Sequence, residues 1–265
     1  MHSWPLYLFT LAIQSAVGGC IMLMLYNILL KKVLAKDTLQ KANLKSLTAL
    51  TALSVLGLGF SFFDIGYPLN AVNAITNLGA SWLSREILFT VLFIALVSVA
   101  LAANWKTQHL SQALLAAAGI AGLAVIFAMG SLYSHTIFEP WNSFNTLIGF
   151  YGSTIILGAV LINLIFFPVF KNTRGSFEAI KLPTLLAVLA AFIIQFAFIA
   201  ALGSSLATLN PAMSLVRWFC SALAALLLVY LYFKDPKKSE LLYISFGLLL
   251  VGELIGRYLF YLPLS

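Results

Sequence analysis

Eight apolar runs, at about 5–30, 44–64, 83–103, 111–133, 144–169, 182–204, 213–233 and 240–262, constrain this protein more than any other feature of its sequence. Each is long enough to cross a bilayer as an α-helix, which takes ~20 apolar residues. Inside hydrocarbon the backbone must satisfy its own polar groups, so runs of this kind are helical. The expected fold is all-α and polytopic: a single integral membrane domain over residues 1–265, with eight transmembrane helices in two packed four-helix bundles. With 62% hydrophobic residues, 9% charged residues and a mean hydropathy of +1.02, the composition excludes an ordinary soluble domain. The runs leave roughly ten residues per connection, too few for an extramembrane domain carrying a cofactor of its own.

The breaks carry turn-forming pairs at Tyr67-Pro68, Glu139-Pro140, Asn210-Pro211 and Asp235-Pro236. The first run lacks a basic stretch before it and is too long for a signal-peptide core, so it is expected to be a retained span. A net charge of +7 in so apolar a sequence fits lysines facing an anionic leaflet better than it fits nucleic-acid binding. Of the 15 basic residues, all but three fall in connections 1, 3, 5 and 7. Loop 1 has Lys31, Lys32, Lys36, Lys41 and Lys45; loop 3 has Lys106; loop 5 has Lys171, Arg174 and Lys181; loop 7 has Lys234, Lys237 and Lys238. Basic loops mark the cytoplasmic side, so both termini are expected to face away from it, which in a bacterial inner membrane means the periplasm. Trp4, Trp82, Trp141 and Trp218 lie near that outer face and read as an interfacial aromatic belt.

The three exceptions, Arg85, Arg217 and Arg257, sit near the outer ends of helices 3, 7 and 8, in company with the acids Asp64, Glu86 and Glu253. Ionisable residues in spans are costly and mark a functional site, with an interhelical lock as the structural alternative. Glu253 and Arg257 share a helical face four residues apart, in the favoured order for a pair. Gly252 and Gly256 beside them give the GxxxG spacing at which a neighbouring helix approaches closely. A transporter places such groups near the midplane rather than towards one leaflet. A small-solute or ion transporter is therefore the alternative reading, and a ligand-free anchor a third.

Haem needs axial ligands inside the membrane. His2, His109 and His135 fall in the tail or in loops, so no haem is expected in this protein. Cys20 and Cys220 lie in apolar runs and are too few for an iron–sulfur cluster. A polar cluster near one face, without these groups and without a glycine-rich phosphate loop, points to a membrane-soluble ligand.

Several segments resemble the membrane-anchor subunit of anaerobic dimethyl sulfoxide reductase. They are Trp4-Pro5-Leu6, Phe9-Thr10, Gln14 and Gly18-Gly19; then Gly66-Tyr67-Pro68, Asn73, Gly79-Ala80-Ser81, Leu83-Ser84 and Glu86-Ile87; and the closing Gly252-Glu253-Leu254-Ile255-Gly256-Arg257 with Phe260-Tyr261. The last stretch is the most specific, and the order of all of them spans most of the sequence. The resemblance implies a subunit that oxidises menaquinol and passes electrons to a four-cluster iron–sulfur subunit and on to a molybdopterin catalytic subunit. Where the family commonly reads His-Leu before the Gly-x-Pro segment, with that histidine associated with quinol, this sequence has Asp64-Ile65. Quinol oxidation releases two protons, which need acceptors and a route to water. Glu86 and Asp64 are the expected catalytic acceptors, and Arg85, Arg217, Glu253 and Arg257 the expected quinol-binding residues. Loops 2, 4 and 6, with Asn70, Asn73, Asn77, Asn142, Asn145 and Asn210, are the expected dock for the iron–sulfur partner.

Overall fold

A computed structural model describes residues 4–64, 77–172, 174–202, 210–233 and 239–264, in eight long helices. These are α1 (Trp4–Leu30), α2 (Lys36–Asp64), α3 (Trp82–Thr107), α4 (Gln112–Ser134), α5 (Phe144–Asn172), α6 (Arg174–Leu202), α7 (Pro211–Phe233) and α8 (Ser239–Tyr261), the last followed by a 3-10 turn over Leu262–Leu264. Each contains a stretch long and apolar enough to cross a membrane. Helix starts follow local chemistry. Pro5 sits in the first turn of α1, where its missing N–H costs nothing. Ser81 and Ser111 accept the backbone N–H groups of Ser84 and Leu114 to open α3 and α4, and Asn210 accepts that of Met213 at the start of α7. Gln108 ends α3 in the left-handed region (φ 53°), returning its N–H to the Asn104 carbonyl.

At the lysine-rich end the helices run past the apolar stretches. The helix α2 starts at Lys36 rather than 44, and α6 at Arg174 rather than 182, while α3 and α5 extend to Thr107 and Asn172. Lys36, Lys41, Lys45, Lys106, Lys171, Arg174 and Lys181 therefore lie on helical turns and not in loops. Helical hydrogen bonding does not stop where hydrocarbon does, and hydropathy reads only the hydrocarbon. Lys181 pairs with Glu178 one turn away. Lys234, Lys237 and Lys238 lie outside the described residues.

Packing follows two closed rings. Helices α1, α2, α3 and α4 contact one another in order and α4 returns to α1; α5, α6, α7 and α8 do the same. The rings meet chiefly through α1 and α5, with α4–α5 and α1–α8 beside them. The expected pair of four-helix bundles is what forms. Burial identifies the centre: the membrane-spanning stretch of α1 is 72% buried and that of α5 67%, against 28% for those of α2, α3, α6 and α7. A helix apolar all round, as α1 is, belongs in such an interior. Gly18 and Gly158 let α1 and α5 touch backbone to backbone; a Cβ on Gly158 would overlap the main chain at Gly18 and Gly19. Successive spans alternate in direction, so the N-terminal ends of odd helices and the C-terminal ends of even ones share one face, the outer face expected from the lysine distribution.

Candidate functional site

At that face the second bundle opens into a cavity of about 410 Å³ to which α5, α6, α7 and α8 all contribute. Its polar lining includes Ser153, Gln195, Arg217 and Arg257, and its apolar walls include Phe150 and Phe260. The charged groups are held by partners. Arg217 donates to the Gln195 side-chain carbonyl at 2.9 Å and lies over the Trp218 ring. Two glycines make room for that pair: a Cβ on Gly152 would overlap Gln195, and one on Gly256 would come 2.6 Å from the guanidinium carbon of Arg217. The GxxxG stretch thus admits helix α7 as expected, and specifically its arginine. Glu253, buried, accepts a short hydrogen bond from the Ser153 hydroxyl. Arg257, also buried, donates to Gln14 of α1 at 2.9 Å and lies 4.1 Å over the Phe150 ring and 5.6 Å from the Phe260 centroid. The contacts of Glu253 and Arg257 therefore run to α5 and α1 rather than closing on each other along α8.

The outer end of the first bundle is different. Glu86 on α3 is buried, and its Oε2 has no hydrogen-bond partner; one turn along, the Thr90 hydroxyl is also buried and unpartnered. Both Tyr133 at the end of α4 and Tyr261 at the end of α8 lie within electrostatic reach of the Glu86 carboxylate and of Arg257. Tyr261 donates to the Tyr133 hydroxyl at 3.1 Å, joining the two bundles. Around this pair stands an aromatic wall in which Tyr133 packs on Trp141, Phe150 and Phe260, and Phe260 on Tyr261. Trp141 belongs to that wall. It is buried and its indole N–H donates to the Phe260 carbonyl at 2.9 Å, so it is not the interfacial anchor its sequence position suggested.

Of the six charged residues singled out in the sequence, Arg217 and Arg257 line the cavity and Glu253 holds its Ser153 edge. Glu86 stands apart in the first bundle. Arg85 turns back to its own loop, donating from Nε to the Leu78 carbonyl at 2.8 Å and from Nη2 to that of Gly79 at 2.6 Å while lying over Trp82. The side chain of Asp64 lies outside the described residues, as do Gly66, Tyr67, Pro68, Asn70 and Asn73. His109 and His135 are exposed at helix ends, and Cys20 and Cys220 are buried thiols. Sequence reasoning passed over Ser153, Gln195 and Tyr133 among the residues that connect the charges, and marked Tyr261 only as part of the closing family-like stretch. A glutamine deep in an apolar run was a usable signal for Gln195, as for Gln14. Tyr133 gave none, because a tyrosine at a span end is ordinary.

The protein is similar along nearly its whole length to known proteins. It is 31% identical over 281 residues to the C subunit of the anaerobic dimethyl sulfoxide reductase of Escherichia coli strain K12, an alignment covering 98% of this protein and 94% of that one. At 27% identity and the same coverage it matches the corresponding C subunit of Haemophilus influenzae and the anaerobic dimethyl sulfoxide reductase subunit YnfH of Escherichia coli. The family model for the DMSO reductase anchor subunit (DmsC) matches residues 1–262. This eight-span membrane protein belongs to the DMSO reductase anchor subunit family.

Proposed function

We propose that the protein anchors a dimethyl sulfoxide reductase-type complex in the bacterial inner membrane and oxidises menaquinol at its outer face. Electrons leave for a four-cluster iron–sulfur subunit docked on the loops of that face, where Asn142 and Asn145 border the cavity, and pass on to a molybdopterin subunit that reduces the terminal acceptor. In this reading the anchor holds neither haem nor cluster of its own. Both termini are periplasmic, and alkaline phosphatase fused after Ser265 is expected to be active. An inactive fusion beside an active cytoplasmic reporter at the same point would overturn that orientation.

The observation that carries the reading is the bare carboxylate oxygen of Glu86. Several buried polar atoms of the described residues lack a partner, but only this one belongs to an ionisable group, and an acid in a membrane interior with an open oxygen is suited to accept from something that arrives. A quinol O–H fits: the hydroxyl donates to the carboxylate, and on loss of its electrons gives up the proton to it. Asp64, at the outer end of neighbouring α2, is the second acceptor. Arg257 supplies positive charge between Glu86 and the cavity, while Arg217 and Glu253 hold the cavity walls that position it. Arg85, tied to loop carbonyls, contributes charge from the rim.

Glu86→Gln keeps size but removes the charge and the proton-accepting capacity. The assembled complex is expected to lose most quinol-dependent turnover, on the order of 10²–10⁴-fold, while reduction of the partner subunits by an artificial donor continues. Normal quinol turnover at a normal level of complex would remove Glu86 from the chemistry. Equal loss of both activities with loss of complex would leave it a structural residue.

A further inference from the structure

Resting on that reading, a proton taken up by Glu86 must still leave, and Glu86 is buried in the first bundle while the cavity of about 410 Å³ lies in the second. We propose that Tyr133 and Tyr261 relay the proton from Glu86 across the junction of the two bundles into the Arg257-lined cavity, which is its aqueous exit.

Each link rests on a group that has the required valence. A phenol accepts one hydrogen bond and donates another. Tyr133 accepts from Tyr261 at 3.1 Å and so keeps its own O–H to give, and Glu86 Oε2 is an acceptor without a partner. At rest Tyr261 therefore donates towards the first bundle, while Tyr133 and Glu86 are within electrostatic reach with no hydrogen bond between them, so in the proposed relay that link closes only when Glu86 carries its proton. The Tyr133 ring packs on Phe150 and Phe260 and the Tyr261 ring on Phe260, the same rings that wall the cavity, and both tyrosines are buried. Between Tyr261 and the cavity stands Arg257, which lines the cavity and holds Gln14.

The step balances. Quinol loses two electrons to the partner's iron–sulfur subunit and breaks two O–H bonds, one proton forming the acid of Glu86 and the other that of Asp64. The two phenols then rotate to point outward. Glu86 passes its proton to the Tyr133 oxygen as Tyr133 passes its own to Tyr261, and Tyr261 passes its own to water in the cavity. The tyrosines end as they began, and the proton of Glu86 has moved to water. The ionisable groups acting on the two tyrosines are Glu86 from α3 and Arg257 from α8; Arg257 in turn feels Glu253 on its own helix and Arg217 on α7, and acts on Tyr7 of α1, whose hydroxyl donates to the Leu254 carbonyl.

The test uses Tyr133→Phe and Tyr261→Phe in the assembled complex, each retaining the ring and losing the hydroxyl. Quinol-dependent turnover per complex is expected to fall on the order of 10–100-fold. The solvent deuterium isotope effect should rise, since proton exit becomes limiting, and turnover from an artificial donor should be unchanged. Wild-type turnover and isotope effect in both variants would overturn the relay while a dead Glu86→Gln keeps the acceptor. Both activities falling together at an unchanged isotope effect would overturn it in favour of a packing role. A wild-type Glu86→Gln would take the quinol reading and the relay down together. For the exit, Gly149 lines the cavity and a Cβ there meets nothing within 4 Å, whereas Cys20 and Cys220 are buried. Gly149→Cys is expected to react with a membrane-impermeant, water-soluble thiol reagent, and failure to react would overturn the cavity as an aqueous exit.

Discussion

Glu86 and Glu253 are two glutamates on outer helix ends, buried to nearly the same degree at 6% and 3% exposure, and they are treated in opposite ways. Glu253 has a serine hydroxyl on α5 donating to it and an arginine one turn along its own helix. Around it the second bundle is built to fit: Gly152 clears space for Gln195, Gly256 for Arg217, and Arg257 reaches across to Gln14. Glu86 has the packing without the partners. Its neighbours one turn away and across the bundle junction are hydroxyls, and its Oε2 receives none of them. Breaking a satisfied buried charge pair or hydrogen bond costs stability, because the other member is left bare. An acid left bare in the resting protein is a standing cost, and in membranes such costs coincide with ligand and proton pathways. Equal burial therefore does not mean equal surroundings, and on the proposed function the state of the partners makes Glu253 a strut and Glu86 a working group.

The comparison is broken most directly by giving both glutamates the same lesion. Against the 10²–10⁴-fold loss expected of Glu86→Gln at normal complex level, Glu253→Gln is expected to act on the protein and not on the chemistry. It weakens the Ser153 bond from a charge-assisted to a neutral one and removes the negative charge near Arg257, a loss of about 1–3 kcal/mol. Thermal unfolding of the purified complex should shift down and less complex should accumulate in the membrane. Quinol and artificial-donor activities should fall in step, with turnover per complex within about 3-fold of wild type, since a stability change of this size acts on abundance. A Glu253→Gln complex at full abundance with quinol turnover selectively lost would place Glu253 in the chemistry and erase the distinction.

How much of this was legible in the sequence follows the same line. The eight spans and the clustering of charge towards one face were legible because hydrophobic length and charge position are properties of the sequence alone. So was the close approach of a neighbouring helix to α8, written in Gly252 and Gly256, though not that this helix is α7. Helix ends at the lysine-rich side were not, since Lys36 and Arg174 look like loop residues to a hydropathy count yet sit in regular turns. The division of the six charges was not legible either. It depends on which residues α5, α6 and α1 present at the same depth, and Ser153, Gln195 and Gln14 are set there by packing between segments far apart in the sequence. Trp141 shows the limit plainly: a tryptophan beside Pro140 at a span end has every mark of an interfacial anchor. Only the approach of α8, whose Phe260 carbonyl takes its N–H, turns it inward.

Arg85 sharpens the comparison at its small end. It is adjacent to Glu86 in sequence, and a helix turns ~100° per residue, so it faces elsewhere. There it closes the turn before α3 by binding the Leu78 and Gly79 carbonyls and covering Trp82. It is only half-buried, and its bonds are to main-chain groups at the rim, where water replaces a lost donor. Arg85→Gln is too short to span both carbonyls and is expected to cost no more than about 1 kcal/mol. The quinol KM and turnover should each stay within about 3-fold of wild type. Were Arg85 instead a quinol contact, losing its guanidinium would raise KM at least 10-fold at unchanged complex level, since a hydrogen bond to a charged donor contributes about 1.5–3 kcal/mol. That outcome would move the headgroup out to the rim, beside the residue next to Glu86, and would make the turn at Gly79-Ala80-Ser81 part of the site rather than its support.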